Sequence, residues 1–227
     1  MVSNKASNKQ HAEASTQSTT QRAYLALRDA ILSGDIAPGE KLKVETLKNT
    51  YSTGASPVRE ALSLLTSDQL VERRDQRGFR VAQASKDQFE EILNLRCKLE
   101  DLAIRTSFEK GTKEWEDKLV LSHHHMCRAY QEPSHLFEQH HKAFHMALID
   151  ACDSPILLRF CDQLYSLNVR YRNLAGKSTD YAKRDVAEEH NNIFEAAIER
   201  NADRASEQLA SHYRTTGLYL VNLLTMP

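Results

Sequence analysis

Apolar residues recur every three or four positions along most of the chain, and that spacing predicts helix. In "RAYLALRDAILSG" Tyr24, Leu27, Ile31 and Leu32 share one stripe, and Gly34 follows as a stop signal. "APGEKL" reads as a turn, and "KVETLKNTY" as a short helix with Val44 and Leu47 facing inward. "STGASPVREALSLLTSDQL" holds a third helix, with Ser56 as its cap, Pro57 at the first helical position and Glu60 near the reciprocal capping position. Val58, Leu62 and Leu65 give that helix its buried side. The period then changes: Leu70–Glu72 and Phe79–Val81 are short extended runs around a polar turn containing Gly78, which predicts a β-hairpin. "QASKDQ" has no core-forming residue, so a domain boundary is expected near Ala82–Ser85. Beyond it the pattern is helical again. Phe89, Ile92, Leu95, Leu99 and Leu102 keep one register, and breaks near Pro133, Ser154–Pro155, Gly176–Thr179 and Asn201 divide the rest into about six helices over 86–227.

Composition narrows the class. The 227 residues carry a formal net charge of -1, with 41% hydrophobic and 27% charged, as in an ordinary soluble protein. No global basic excess points to nucleic acid, so a local patch has to carry any such reading. Cys97, Cys127, Cys152 and Cys161 are scattered without a CxxC pair, which fits reduced thiols in a cytoplasm better than a disulfide framework. No apolar run reaches the roughly 20 residues of a membrane span. Residues 1–18 are rich in Ser, Thr, Asn and Gln and are expected to be a disordered tail.

Three short helices followed by a hairpin is the order of a winged helix-turn-helix, whose third helix enters the major groove of DNA. Arg59, Arg73, Arg74, Arg77 and Arg80 fall within 22 positions, although Glu60, Asp68, Glu72 and Asp75 accompany them. Charge alone would describe a solvated surface; the element order favours a DNA-binding head. Ser56 and Arg59 at a helix start suit phosphate oxygens, and Arg77 beside Gly78 suits a wing tip.

"AILSGDIAPGEKL" followed by "GASPVREALSLLTSDQLVERRDQRGFRV" resembles the DNA-binding domain of the GntR superfamily of bacterial transcription factors over residues 22–81. The resemblance implies operator contacts by Ser56, Arg59, Arg77 and Gly78. Two departures are visible. Ala55 stands where many members carry an Arg, so the guanine contact of that Arg is not expected here, and Gln69 replaces a more usual Gly.

The histidines raise a separate question. "HHKAFHMALID" places His141 and His145 four apart, on one face of a helix. A lone buried histidine is more often structural than a ligand. However, "FHMALIDACDSP", "EEHNNIFEAAIERNADRA" and "LASHY" resemble the FCD effector domain of the FadR subgroup. Metal-binding members hold a divalent ion with an Asp and three His. The matching residues are His145, His190 and His212, with His141 at the Asp position. Exchanging a carboxylate for an imidazole removes a charge and a hard oxygen, which moves preference from manganese or magnesium towards zinc, nickel or copper. Zinc is the first expectation and nickel the second, with His141 either a ligand or a wall residue. His123–His125 point to different helix faces and are read, with His135 and His140, as surface.

Arg96, in "LRCKLE", is a candidate for holding an effector carboxylate, and its alternative is an ion pair with Glu100 four residues on. Arg170 and Arg172 are further candidates, of which at most one faces the pocket. The fold class expected is mainly α: a winged helix-turn-helix over 19–82 and an all-α effector domain over 86–227. The function expected is a homodimeric, cytoplasmic regulator of double-stranded operator DNA, a repressor released by a small carboxylate, with no enzymatic activity and no membrane partner. "RCKLE" and "HHKAFH" look closest to regulators of short-chain dicarboxylate catabolism such as glutarate-responsive repressors. A regulator whose effector is the ion itself, and a metal-dependent hydrolase, are the rival readings.

Overall fold

The computed structural model describes residues 18–74, 77–131, 136–174 and 184–224. The expected tail therefore lies outside the described residues apart from Ser18, as do His135, Pro133 and the Gly176–Thr179 break. The chain divides into two compact units, residues 1–84 and 85–227.

In the first unit, helix α1 (Thr19–Ser33) is capped by Ser18, whose Oγ accepts from the Gln21 amide, and it ends at Gly34 with φ 87°. It buries Ala23, Leu27, Ile31 and Leu32. Strand β1 (Lys41–Leu42) leads to α2 (Val44–Thr50) and α3 (Ala55–Ser67), then β2 (Val71–Arg74) and β3 (Gly78–Val81). β3 is the middle strand, antiparallel to both neighbours, with Val71 opposite Val81 and Lys41 opposite Arg80. The expected hairpin is present. β1 is an addition, because two residues are too few to show alternation. Tyr24 donates to Asp68 at 2.7 Å and Thr20 to Glu60 at 2.8 Å, tying α1 to α3.

The expectation for the start of α3 is corrected. The cap of α3 is Gly54, with no side-chain bond; Ser56 lies inside the first turn and Glu60 is engaged by Thr20 instead. At the other end Gln69 has φ 62°, with its amide on the Thr66 carbonyl and the Leu70 amide on the Leu65 carbonyl. That pair of bonds is a Schellman stop, whose left-handed residue is usually glycine. The departure at Gln69 noted from sequence thus falls on a strained backbone position.

The second unit contains α4 (Lys86–Lys110), α5 (Lys113–Gln131), α6 (Phe137–Ile149), α7 (Pro155–Leu174), α8 (Val186–Ile198) and α9 (Ala202–Leu224). Its core joins Ile104, Leu119, Met126, Phe144, Leu148, Ile193 and Leu209, and the Trp115 indole donates to the Ala147 carbonyl at 2.8 Å. α4 faces inward differently from its apolar stripe. Leu95 and Leu102 are exposed, whereas Arg96 and Glu100 are buried with Phe89, Ile92 and Ile104. His124 and His125 are exposed as expected. His123 is not: it is buried, stacked on Phe194 at 4.0 Å and tilted against Phe144 at 5.4 Å. No described helix is long and apolar enough to cross a membrane.

Candidate metal centre and DNA-binding head

α6, α8 and α9 bring His141, His145, His190 and His212 together, all four buried, with one potential ligand atom from each within 4.8 Å of the others. The i, i+4 spacing on α6 stacks His141 over His145, with Nε2 atoms 3.3 Å apart, and His145 Nε2 lies 3.1 Å from His190 Nε2.

The partners of the opposite ring nitrogens decide which atoms face the centre. His190 Nδ1 lies 2.7 Å from the Val186 carbonyl, which can only accept, so this nitrogen carries the hydrogen; the Tyr130 hydroxyl is 2.9 Å away. His212 Nδ1 donates to Glu189 Oε2 at 2.7 Å. Arg184 also sits 3.3 Å from that nitrogen, because it grips the same carboxylate and donates to the His212 carbonyl. His145 Nδ1 meets the Tyr213 hydroxyl at 2.8 Å, and His141 Nδ1 meets the Tyr165 hydroxyl at 2.5 Å. Each Tyr hydroxyl donates its own hydrogen onward, Tyr213 to Glu100 and Tyr165 to Glu138, both at 2.6 Å. Each of the four Nδ1 atoms thus has a hydrogen-bond partner outside the cluster, and the Nε2 atoms of His141 and His190 lie 3.3 and 3.1 Å from that of His145.

Burial is the main cause that pushes His141, His145 and His190 well below the usual imidazole range, with neighbouring histidine and arginine charge adding to it. Burial also lowers His212, to about 4, although Glu189 pulls the other way. For Glu189 burial would raise the carboxyl, but hydrogen bonds from His212 and Arg184 prevail and bring it to about 2. The contact between the two at neutral pH is therefore a neutral N–H on a carboxylate. Four uncharged imidazoles suit a divalent borderline ion. A tetrahedral zinc with bonds of about 2.0–2.1 Å places neighbouring nitrogens about 3.3–3.4 Å apart, close to the two separations observed.

The arginine candidates separate. Arg96 donates to Glu100 at 2.7 Å, Asn168 at 3.0 Å and Tyr213 at 2.8 Å, so the ion-pair alternative is the arrangement present. Arg172 pairs with Glu138 and reaches the centre through Tyr165 and His141. Arg170 is fully buried beside Tyr171. The supporting residues Tyr165, Tyr213, Glu138, Glu189, Tyr130 and Arg184 were not found from sequence. "EEH" and "HY" place Glu189 and Tyr213 next to ligands, but nothing in the chain links Tyr165 to His141, 24 positions away on another helix.

In the head, Ser56 and Arg59 are exposed on the first turns of α3. Arg77 and Gly78 are exposed at the hairpin turn, where Gly78 has φ 81° and open space around it. Arg73 is also exposed, whereas Arg80 donates to the Gly39 carbonyl and Arg74 pairs with Glu72.

Comparison with known proteins agrees with this division. Residues 19–81 match the gntR family of bacterial regulatory proteins, and residues 91–215 match the FCD domain. The chain is 38% identical over 210 residues to the uncharacterized HTH-type transcriptional regulator BphR of Paraburkholderia xenovorans (strain LB400), covering 89% of this chain and 85% of that one. It is 30% identical over 205 residues to the HTH-type transcriptional repressor GlaR of Escherichia coli (strain K12), covering 87% and 93%. The solved structure of E. coli McbR/YncC shares the fold, with a TM-score of 0.77 at 22% identity, over 91% of this chain and 99% of that one. BphR and GlaR carry the names of transcriptional regulators, which sets the hydrolase reading aside. With a winged helix-turn-helix head, an all-helical second unit and both matches in register with them, the chain belongs to the GntR family as a DNA-binding transcriptional regulator carrying an FCD domain.

Proposed function

We propose that this regulator is a homodimeric repressor acting in the cytoplasm, released from double-stranded operator DNA when a small carboxylate binds beside a divalent ion. The ion, zinc first and nickel second, is held by His141, His145, His190 and His212. The observation that carries the reading is the convergence of four buried imidazoles, one ligand atom from each within 4.8 Å of the others, with an acceptor in reach of every Nδ1. Four neutral ligands leave the double positive charge of the ion uncompensated, and that charge attracts an anion. Five-coordinate zinc or six-coordinate nickel leaves room for carboxylate oxygen.

A diacid gains a second anchor. Of the three arginines, Arg172 is the reachable one: its side chain is 19% exposed, against 3% for Arg96 and a whole-residue value of 1% for Arg170. Glutarate is the first candidate. On the DNA side Ser56 and Arg59 meet phosphate at the start of the recognition helix, and Arg77 and Gly78 approach the backbone from the wing. The name of the E. coli relative supports the sign, repression. Exposed apolar side chains on both helices, Leu95 and Leu102 of α4 and Ile156 and Phe160 of α7, support the dimer. A second copy of the chain would cover them; Leu102→Glu combined with Phe160→Glu should sediment as a monomer.

A second reading makes the ion itself the effector, and the same convergence favours it, since four nitrogens complete a tetrahedral shell unaided. Operator anisotropy separates the two. At fixed saturating zinc, C4–C6 diacids should release DNA and monoacids of equal length should do so less well. Release by zinc with no acid present would establish the second reading. Failure of both additions to alter DNA affinity would contradict both.

A further inference from the structure

We infer that two hydroxyl relays, Tyr213 with Glu100 and Tyr165 with Glu138, are positioning groups that fix His145 and His141 as Nδ1–H tautomers and so keep the histidine centre open to a metal. The inference rests on the metal reading of that centre. The argument is an accounting of hydrogens. A tyrosine hydroxyl has one hydrogen to give and two lone pairs to receive. The Tyr213 oxygen has three partners: Arg96 Nη2 at 2.8 Å, His145 Nδ1 at 2.8 Å and Glu100 Oε2 at 2.6 Å. Arg96 can only donate. Glu100 accepts from Arg96 Nε at 2.7 Å as well, which holds it as a carboxylate acceptor. The single Tyr213 hydrogen therefore goes to Glu100, and His145 must supply its own from Nδ1. Tyr165 repeats the pattern with Glu138, whose other oxygen is paired with Arg172, and His141 Nδ1 at 2.5 Å.

The competing state is specific. A neutral imidazole can place its hydrogen on either nitrogen. With the hydrogen on Nε2, His145 would point it at His190 Nε2, 3.1 Å away, or at His141 Nε2, 3.3 Å away. The cluster would then close on itself through N–H···N bonds and offer fewer lone pairs to an ion. His190 and His212 need no relay, because the Val186 carbonyl and the Glu189 carboxylate accept directly. For the two histidines on α6 the contact to a carboxylate runs through a phenol, from α7 for His141 and from α9 for His145. Arg96 and Arg172 act one step further out, by holding Glu100 and Glu138 as acceptors.

The test uses the metal-free full-length protein with 15N-labelled histidine. Long-range proton–nitrogen correlation reads the protonated nitrogen of each ring. Wild type should show Nδ1–H at His141 and His145. Tyr213→Phe should shift His145 towards Nε2–H and leave His141 unchanged, and Tyr165→Phe should do the reverse. Zinc affinity, measured by competition with a chromogenic chelator, should fall about ten- to a hundredfold in each variant. An Nε2–H ring at His145 or His141 in wild type overturns the inference, as does a variant in which neither tautomer nor affinity moves. Tyr165 is on a different helix from Tyr213, so either variant decides the question if the other fails to fold; if both fail, the wild-type tautomers decide it. A wild type with both Nδ1–H rings that binds no zinc supports the relays and removes the metal reading.

Discussion

His123 stacks on Phe194 with nearly parallel rings and lies against Phe144, in the core between α5, α6 and α8. Burial first, and the neighbouring His124 second, push its pKa below the ordinary value. The folded chain thus binds fewer protons here than the unfolded chain, whose histidine titrates near about 6.5. The stabilising contribution is complete above about pH 6.5 and is lost as pH falls from there through the folded value. His123→Phe keeps the aromatic stack and removes this proton linkage. In urea titrations between about pH 7.5 and 5.5, the variant should gain on wild type steadily as pH falls; parallel curves would place His123 in water. The sequence could not show this, because three consecutive histidines point three ways and only packing chooses which goes inside. The four centre histidines were legible through motif resemblance, whereas Tyr165 and Tyr213 were not, since a tyrosine on another helix carries no mark of its partner.

At the scale of elements, periodicity found the helices and the hairpin but misjudged one face and one helix start. On α4 the apolar stripe suggested Leu95 and Leu102 as core, yet the buried face carries Arg96 and Glu100. Hydrophobic spacing cannot detect a face whose burial is made possible by an ion pair and two further acceptors. On α3 the capping pattern pointed to Ser56, and the helix starts earlier, after Gly54. The consequence is that Ser56 and Arg59 sit on successive exposed turns at the positive end of the recognition helix. Arg59→Ala should leave stability within about 0.5 kcal/mol of wild type, because the residue is exposed. It should weaken operator binding and reduce the slope of log K against log salt by about one unit. Anisotropy titrations at several salt concentrations read both quantities, and an unchanged slope would remove Arg59 from the phosphate contacts.

At the scale of the whole molecule, α7 touches the centre at one point and the start of the second unit at another. Tyr165 and Arg172 belong to the wall behind His141. Tyr171, between Arg170 and Arg172, donates to Gln88 at 2.7 Å and accepts from the backbone amide of Ser85 at 3.3 Å. Ser85 caps α4 and is the first residue after the boundary. A displacement of α7 on effector binding would reach Ser85 through that hydroxyl. Allosteric coupling is typically about 1–3 kcal/mol, so Tyr171→Phe should cut the effector-induced loss of operator affinity several-fold while zinc and glutarate still bind. Equal release by variant and wild type would show that the signal travels elsewhere. The most direct test of the account is the metal itself. Elemental analysis after zinc incubation and desalting should find about one ion per chain in wild type and in His124→Ala, and close to none in His190→Ala or His212→Ala. A wild type without bound zinc or nickel, or one whose metal survives both centre substitutions, would contradict the four-histidine site.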